Sequence, residues 1–119
     1  MSKAVILRAI DAARVPMESG GLTWYASRAL GNSNAMTVGC AALPPGGASP
    51  RHYHPNCEEI LHVLRGEIIH TMGDEEAAMG PGDTVTIPAN LVHNARNTGD
   101  AEAVLIICFS SADRQTVWV

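Results

Sequence analysis

The stretch Pro50-Arg51-His52-Tyr53-His54-Pro55-Asn56-Cys57-Glu58-Glu59-Ile60-Leu61-His62-Val63-Leu64-Arg65-Gly66 decides how the chain is read. His52 and His54 stand two residues apart. Alternate side chains of a strand share a face, so this spacing sets two imidazoles one above the other on the same side. Pro55 to Cys57 supplies a turn, and the next strand brings a carboxylate alongside. Glu59, Leu61 and Val63 share one face of that strand, which favours Glu59 over its rival Glu58 as the inward acid.

A second stretch, Gly82-Asp83-Thr84-Val85-Thr86-Ile87-Pro88-Ala89-Asn90-Leu91-Val92-His93-Asn94-Ala95-Arg96-Asn97, adds a histidine after a strand and a Pro/Asn turn. His93 then closes a set of three imidazoles and one carboxylate. Such a nitrogen and oxygen set suits one divalent transition metal, Fe, Mn, Ni, Zn, Co or Cu, rather than calcium or magnesium. Four protein ligands leave octahedral positions open for water, a bidentate substrate or dioxygen.

Around these stretches, short runs rich in aliphatic and β-branched residues recur between turn residues: Ile60 to Leu64, Glu67 to Thr71, Asp83 to Ile87 and Ala103 to Phe109. That pattern predicts an all-β sandwich or barrel. Met72-Gly73-Asp74 has hairpin chemistry, Gly80-Pro81-Gly82-Asp83 marks another turn, and residues 43–50, dense in Pro and Gly, read as a tight loop before a strand. Ala4 to Val15 reads as a strand followed by a helical turn.

A chain of 119 residues predicts one domain. Within 1–119 we expect an N-terminal arm over about 1–30, a core over about 36–109 and a C-terminal strand over 110–119. Eight Lys and Arg against 12 Asp and Glu give a net charge of -4 with no basic stripe, so nucleic acid is not an expected partner. Cys40, Cys57 and Cys108 are odd in number and lack CxxC spacing, which argues against a disulfide scaffold or zinc ribbon. No leader pattern and no run of apolar residues long enough for a membrane is visible, so the expected location is cytoplasmic.

The two stretches resemble the two signature motifs of the cupin superfamily. Gly46, His52, His54, Glu59 and Gly66 match the first motif at full spacing, and Gly82, Pro88, His93 and Asn97 match the second. Asn90 stands where the family usually has glycine, a change that asparagine's tolerance of left-handed backbone accommodates. The resemblance covers residues 36 to 109 or so. It implies a double-stranded β-helix, a jelly-roll-like barrel with the metal held inside by His52, His54, Glu59 and His93. It also implies a homodimer paired through edge strands, with residues 115–119 contributing to that contact or covering the bottom of the barrel.

Other residues carry weaker signals. His62 and His70 lack partners at ligand spacing and read as exterior or interface residues. Cys57 reads as a small loop residue. Met36, Val38, Cys40, Ile106, Cys108 and Phe109 read as core, with a cavity lining as the alternative. Trp24, Tyr25, Arg51 and Tyr53 read as surface packing, with orientation of a substrate as the alternative role. Arg96 and Asn97 suit the turn, and an amide near His93 is placed to orient its ring.

Two functions fit these residues. The first is an enzyme acting on a small oxygenated organic molecule, of dioxygenase, isomerase or lyase type, with family analogy favouring oxidative chemistry. Its general base is unknown, Tyr25 and Glu58 being the candidates. The second is a non-catalytic module that binds a sugar or carboxylate and reports it.

Overall fold

The alternation seen in the sequence becomes a barrel of two antiparallel sheets. The computed structural model describes residues 3–18 and 20–119. A 3-10 turn, Ala9–Asp11, precedes β1 (Ala13–Met17), β2 (Gly20–Ala26), β3 (Thr37–Leu43), β4 (His52–Tyr53), β5 (Glu59–Arg65) and β6 (Ile68–Met72). Then follow β7 (Glu75–Met79), β8 (Thr84–Ile87), β9 (His93–Asn97), β10 (Ala103–Phe109) and β11 (Val117–Trp118). One sheet runs β1-β2-β3-β10-β5-β8 and the other β11-β4-β9-β6-β7. The fold is therefore all-β and jelly-roll-like, and no helix among the described residues is long and apolar enough to cross a membrane.

Strand parity decides which side chains meet between the sheets. In β10 burial alternates, with Ala103, Leu105, Ile107 and Phe109 inside and Val104, Ile106 and Cys108 facing out. In β5 the buried set is Glu59, Leu61 and Val63. β3 pairs with β10 so that Leu43 lies opposite Ala103, and its inward residues join the same core. Each fully buried Leu, Ile or Val contributes roughly 1.5–3 kcal/mol, so this inner face supplies most of the drive to close the barrel.

Two turns set the register. Gly73 and Asp74 form a two-residue link between β6 and β7, pairing Met72 with Glu75, and Gly73 takes the left-handed φ of +58° that this link requires. Gly66, at φ +87°, has no room for a side chain: an added Cβ would lie 2.6 Å from the Ala103 Cα. Asn90 has a φ of 71°, the left-handed backbone expected of it.

Two expectations are corrected, and three strands went unannounced in the sequence. The N-terminal order is reversed: residues 3–8 are irregular, and the helical turn comes before β1 rather than after it. β2, β3 and β7 are full strands that hydrophobic runs did not reveal, because Gly, Thr, Ala and Glu dominate them and pairing with neighbours, not side-chain preference, holds them extended. Of the six residues weighed as core or cavity lining, Val38, Cys40, Ile106 and Cys108 are only partly buried and face outward and Met36 is exposed, leaving Phe109. The error is one of parity, which the sequence of an almost continuously apolar strand such as β10 does not reveal.

Candidate metal centre

The two sheets supply the site from opposite sides. β4 and β9 pair so that His52 lies directly across from His93, and His54 follows β4 by one residue. Glu59 begins β5 in the other sheet and reaches across. One ligating atom from each of the four residues lies within 4.8 Å of all the others. His54, Glu59 and His93 are buried, and His52 is half-buried on the open side. Glu58 has the opposite parity, is exposed, and donates its backbone N–H to Ser110 Oγ at 2.9 Å.

Each imidazole is locked in one tautomer. Nδ1 of His52 lies 2.7 Å from the Pro50 carbonyl, Nδ1 of His54 2.9 Å from that of Gln115, and Nδ1 of His93 2.8 Å from that of Leu91. A carbonyl only accepts, so each Nδ1 carries the hydrogen and each neutral ring presents a bare lone pair at Nε2. Nε2 of His93 and Nε2 of His54 nevertheless sit 3.0 and 3.1 Å from the same oxygen, Glu59 Oε1. Lone pairs facing a carboxylate repel one another. Protonating both rings would set two cations with centroids 5.2 Å apart in a buried pocket. A cation among the four groups removes the conflict. The spacing fits as well: cis ligands at about 2.1 Å from an octahedral ion are about 3.0 Å apart.

The charges agree with that reading. Burial raises the Glu59 carboxyl, and its fall to about 2 requires His54 and His93 to donate from Nε2; with their hydrogens on Nδ1, a cation has to supply that stabilisation instead. Burial pushes His52 down to about 4, ahead of the opposing effect of its Pro50 hydrogen bond, and burial likewise pushes His70 down to about 4. With each Nδ1 hydrogen given to a backbone carbonyl, the cluster offers three Nε2 lone pairs and one carboxylate.

His70 corrects an expectation. It is not exterior: it is wholly buried, lines the cavity, stacks on His93 with centroids 5.9 Å apart, and has no hydrogen-bond partner on either nitrogen among the described residues. Its parity with inward Ile68 carried that signal. His62 does face outward and bonds Thr84 Oγ1 at 2.7 Å. The two depressed histidines make the metal-free protein acid-sensitive. An unfolded chain takes up protons near 6.5, whereas His52 and His70 refuse them until about 4 in the fold, so stability falls as pH drops through that window. Melting temperature in the presence of a chelator should decline steadily from pH 7 to pH 4.5, and His70→Leu should flatten the decline; a level profile in the unsubstituted protein would contradict it.

A cavity of about 90 Å³ adjoins the cluster. At roughly 30 Å³ per water it holds about three waters or a ligand of a few heavy atoms. Leu43, Leu61, Leu105, Ile107 and Phe109 make its walls largely apolar. Neither Tyr25, which is exposed, nor Glu58 lines it. Arg51 is exposed and donates to the Gly73 carbonyl, and Asn97 serves the turn by donating to the carbonyls of Leu43 and Ala101 rather than orienting His93. Cys57 is buried in the core. Trp24, read as surface packing, lines the cavity, as do Arg114 and Trp118. Residues 115–119 lie over this end of the barrel: Gln115 holds His54, β11 pairs with β4, and Trp118 packs on His52 at 5.2 Å between centroids. No spacing rule marked these residues, because they reach the site through a chain reversal after β10.

A small antiparallel barrel with three histidines and one glutamate gathered at one end defines the class. The chain belongs to the cupin family, and the Cupin domain family profile matches residues 39–109. Germin-like protein 3-8 of Oryza sativa subsp. japonica is 32% identical over 85 residues, which are 67% of this chain and 38% of that protein. Oxalate oxidase 1 of Hordeum vulgare is 29% identical over 96 residues, 74% of this chain and 48% of that protein. The chain thus spans less than half the length of these relatives. The oxalate decarboxylase of Bacillus subtilis, a protein with Mn(II) centres, superposes with a TM-score of 0.85 at 20% identity over 94% of this chain and 31% of that one, a likeness of fold.

Proposed function

We propose that the chain is a mononuclear metal-dependent enzyme acting on a small oxygenated organic acid, with His52, His54, Glu59 and His93 as the metal ligands. The observation that carries this reading is the pair of Nε2 lone pairs turned on one carboxylate oxygen at 3.0 and 3.1 Å. The acid is supported by the cavity's small volume and by the oxalate named among the relatives. The donor set suits manganese and iron alike.

When bound, the metal supplies Lewis acidity toward a chelating oxygen and, if redox-active, a site for dioxygen. The protein's own residues do the rest. The three backbone carbonyls aim the imidazoles, and the leucine-rich wall excludes water from the reacting end. We favour oxidative chemistry, because neither Tyr25 nor Glu58 reaches the cavity to act as a base. A homodimer, supported by exposed Ile60 and Leu64 on the outer face of β5, and a cytoplasmic location are also part of this reading.

Elemental analysis of untagged protein beside His93→Ala tests the reading. About one equivalent of manganese or iron, lost in the variant, is the expected result, with oxygen uptake on a panel of small hydroxy and oxo acids. Metal and acid binding without turnover would replace the enzyme with a binding module. No metal even after reconstitution would remove the metal reading altogether. Light scattering on the same preparation reads the dimer directly.

A further inference from the structure

Arg114 is a partly buried cation that forms no salt bridge among the described residues, Glu59 acting on it only at a distance. Three other arginines pair with acids: Arg28 with Asp113 at 2.7 Å, Arg65 with Glu102 at 3.4 Å and Arg96 with Glu76 at 2.6 Å. No Asp or Glu among the described residues pairs with Arg114, and its chain neighbour Asp113 is already taken by Arg28. Its guanidinium lies 4.6 Å from the centroid of Trp24 and 5.2 Å from that of Phe109, and Nη1 donates to Thr116 Oγ1 at 2.6 Å. Ring contacts offset part of the cost of removing the charge from water, but they leave most of the five N–H donors without an acceptor.

Its position gives those donors a use. Arg114 and His54 both pack on Phe109, at 5.2 and 5.0 Å, and Thr116 Oγ1 bridges them, 2.6 Å from Arg114 Nη1 and 3.2 Å from His54 Nδ1, so the guanidinium stands close to the metal ligands. Arg114 lines both the inner cavity and a wider outer vestibule of about 620 Å³, and Met17, Leu22, Trp24 and Trp118 border both spaces with it. Val15, Met17, Leu22, Trp24 and Trp118 make the vestibule apolar and aromatic, and Glu18 is the other charged residue on its wall. A divalent ion held by one carboxylate leaves net positive charge inside, and Arg114 adds to it where the two spaces share a wall. Negative charge is favoured inward and disfavoured outward.

We propose that Arg114 anchors the carboxylate of the substrate. The substrate is then a monocarboxylic acid whose oxygenated end enters the inner cavity while an apolar tail lies in the vestibule, a longer molecule than the inner cavity alone would hold. This rests on the metal-dependent reading above, and it adds the anchoring residue, the single charge and the tail.

Calorimetric titration of the manganese-loaded protein with four probes tests it: 2-hydroxy-3-phenylpropanoate, its uncharged amide, glycolate and 2-hydroxysuccinate. The phenyl acid should bind at least about tenfold tighter than each of the other three. Arg114→Met should lose about tenfold or more toward the phenyl acid and little toward the amide, with unchanged metal content; Arg114→Lys, which keeps the charge but not the fork, should fall between. Equal binding of acid and amide by the unsubstituted protein would overturn the anchor, whatever the variants do, and so would an Arg114→Met variant that keeps full affinity. Glycolate binding as tightly as the phenyl acid would overturn the tail. If the protein takes up no metal, the reading of the centre fails on its own, and the acid-against-amide comparison on the metal-free protein still decides for or against Arg114.

Discussion

Glu59→Gln is expected to cost at least about a hundredfold in metal affinity, on the order of 3 kcal/mol, while leaving the metal-free barrel as stable as before or more so. The two effects have one cause. The carboxylate supplies the negative charge of the site and the oxygen nearest to two imidazole nitrogens. A neutral amide is a far poorer ligand for a divalent ion, and the charge balance that favoured the cation is gone. Without metal, however, the amide turns a disadvantage into a bond. Its NH2 donates to the Nε2 lone pairs of His54 and His93, which in the metal-free protein face an acceptor. Isothermal titration with manganese and melting in chelator measure the two quantities. If Glu59 were instead a structural partner of protonated histidines, the substitution would break two charge-assisted bonds and lower the melting temperature, with little to say about metal.

Removing residues 115–119 should weaken metal binding by about 10- to 100-fold without unfolding the barrel. The carbonyl of Gln115 is the acceptor that fixes the His54 tautomer, and Thr116 Oγ1 lies 3.2 Å from the same Nδ1. With both gone, His54 Nδ1 loses its acceptor and the ring its fixed tautomer, so the lone pair at Nε2 is no longer held toward Glu59. The strand lost is a two-residue edge with exposed Val117 and Trp118, and the inward residues of β3, β5 and β10 are untouched. Circular dichroism should therefore remain that of a β-barrel while the metal titration shifts. A truncated chain that binds metal as tightly as the full one would show that Pro50, Leu91 and packing suffice to hold the centre.

How much of this was legible beforehand differs by residue, and the differences have physical reasons. The His52, His54 and Glu59 cluster was readable because strand parity with a period of two is a local property: two residues apart means one face, whatever the barrel does around it. His93 was readable only through its motif, since nothing in a strand-and-turn pattern says which strand it will lie beside. His70 was misplaced because ligand spacing carries no sign of it, whereas its parity with inward Ile68 does. The choice between Glu58 and Glu59 rested on parity and spacing, and the fold turns Glu59 inward and Glu58 outward.

Sequence alone determined the all-β class, the main turns and the shared face of His52, His54 and Glu59, because alternation, glycine and proline act through the backbone of a few neighbouring residues, while His93 was legible through its motif. Only the tertiary structure decided which tautomer each histidine holds, that the chain end passes over the cavity, and that Arg114 lines both spaces with no salt-bridge partner among the described residues. Each depends on contacts between residues far apart in the chain, such as Gln115 with His54 and Arg114 with Trp24. No local pattern encodes such contacts, because they form only when two sheets close on a shared core.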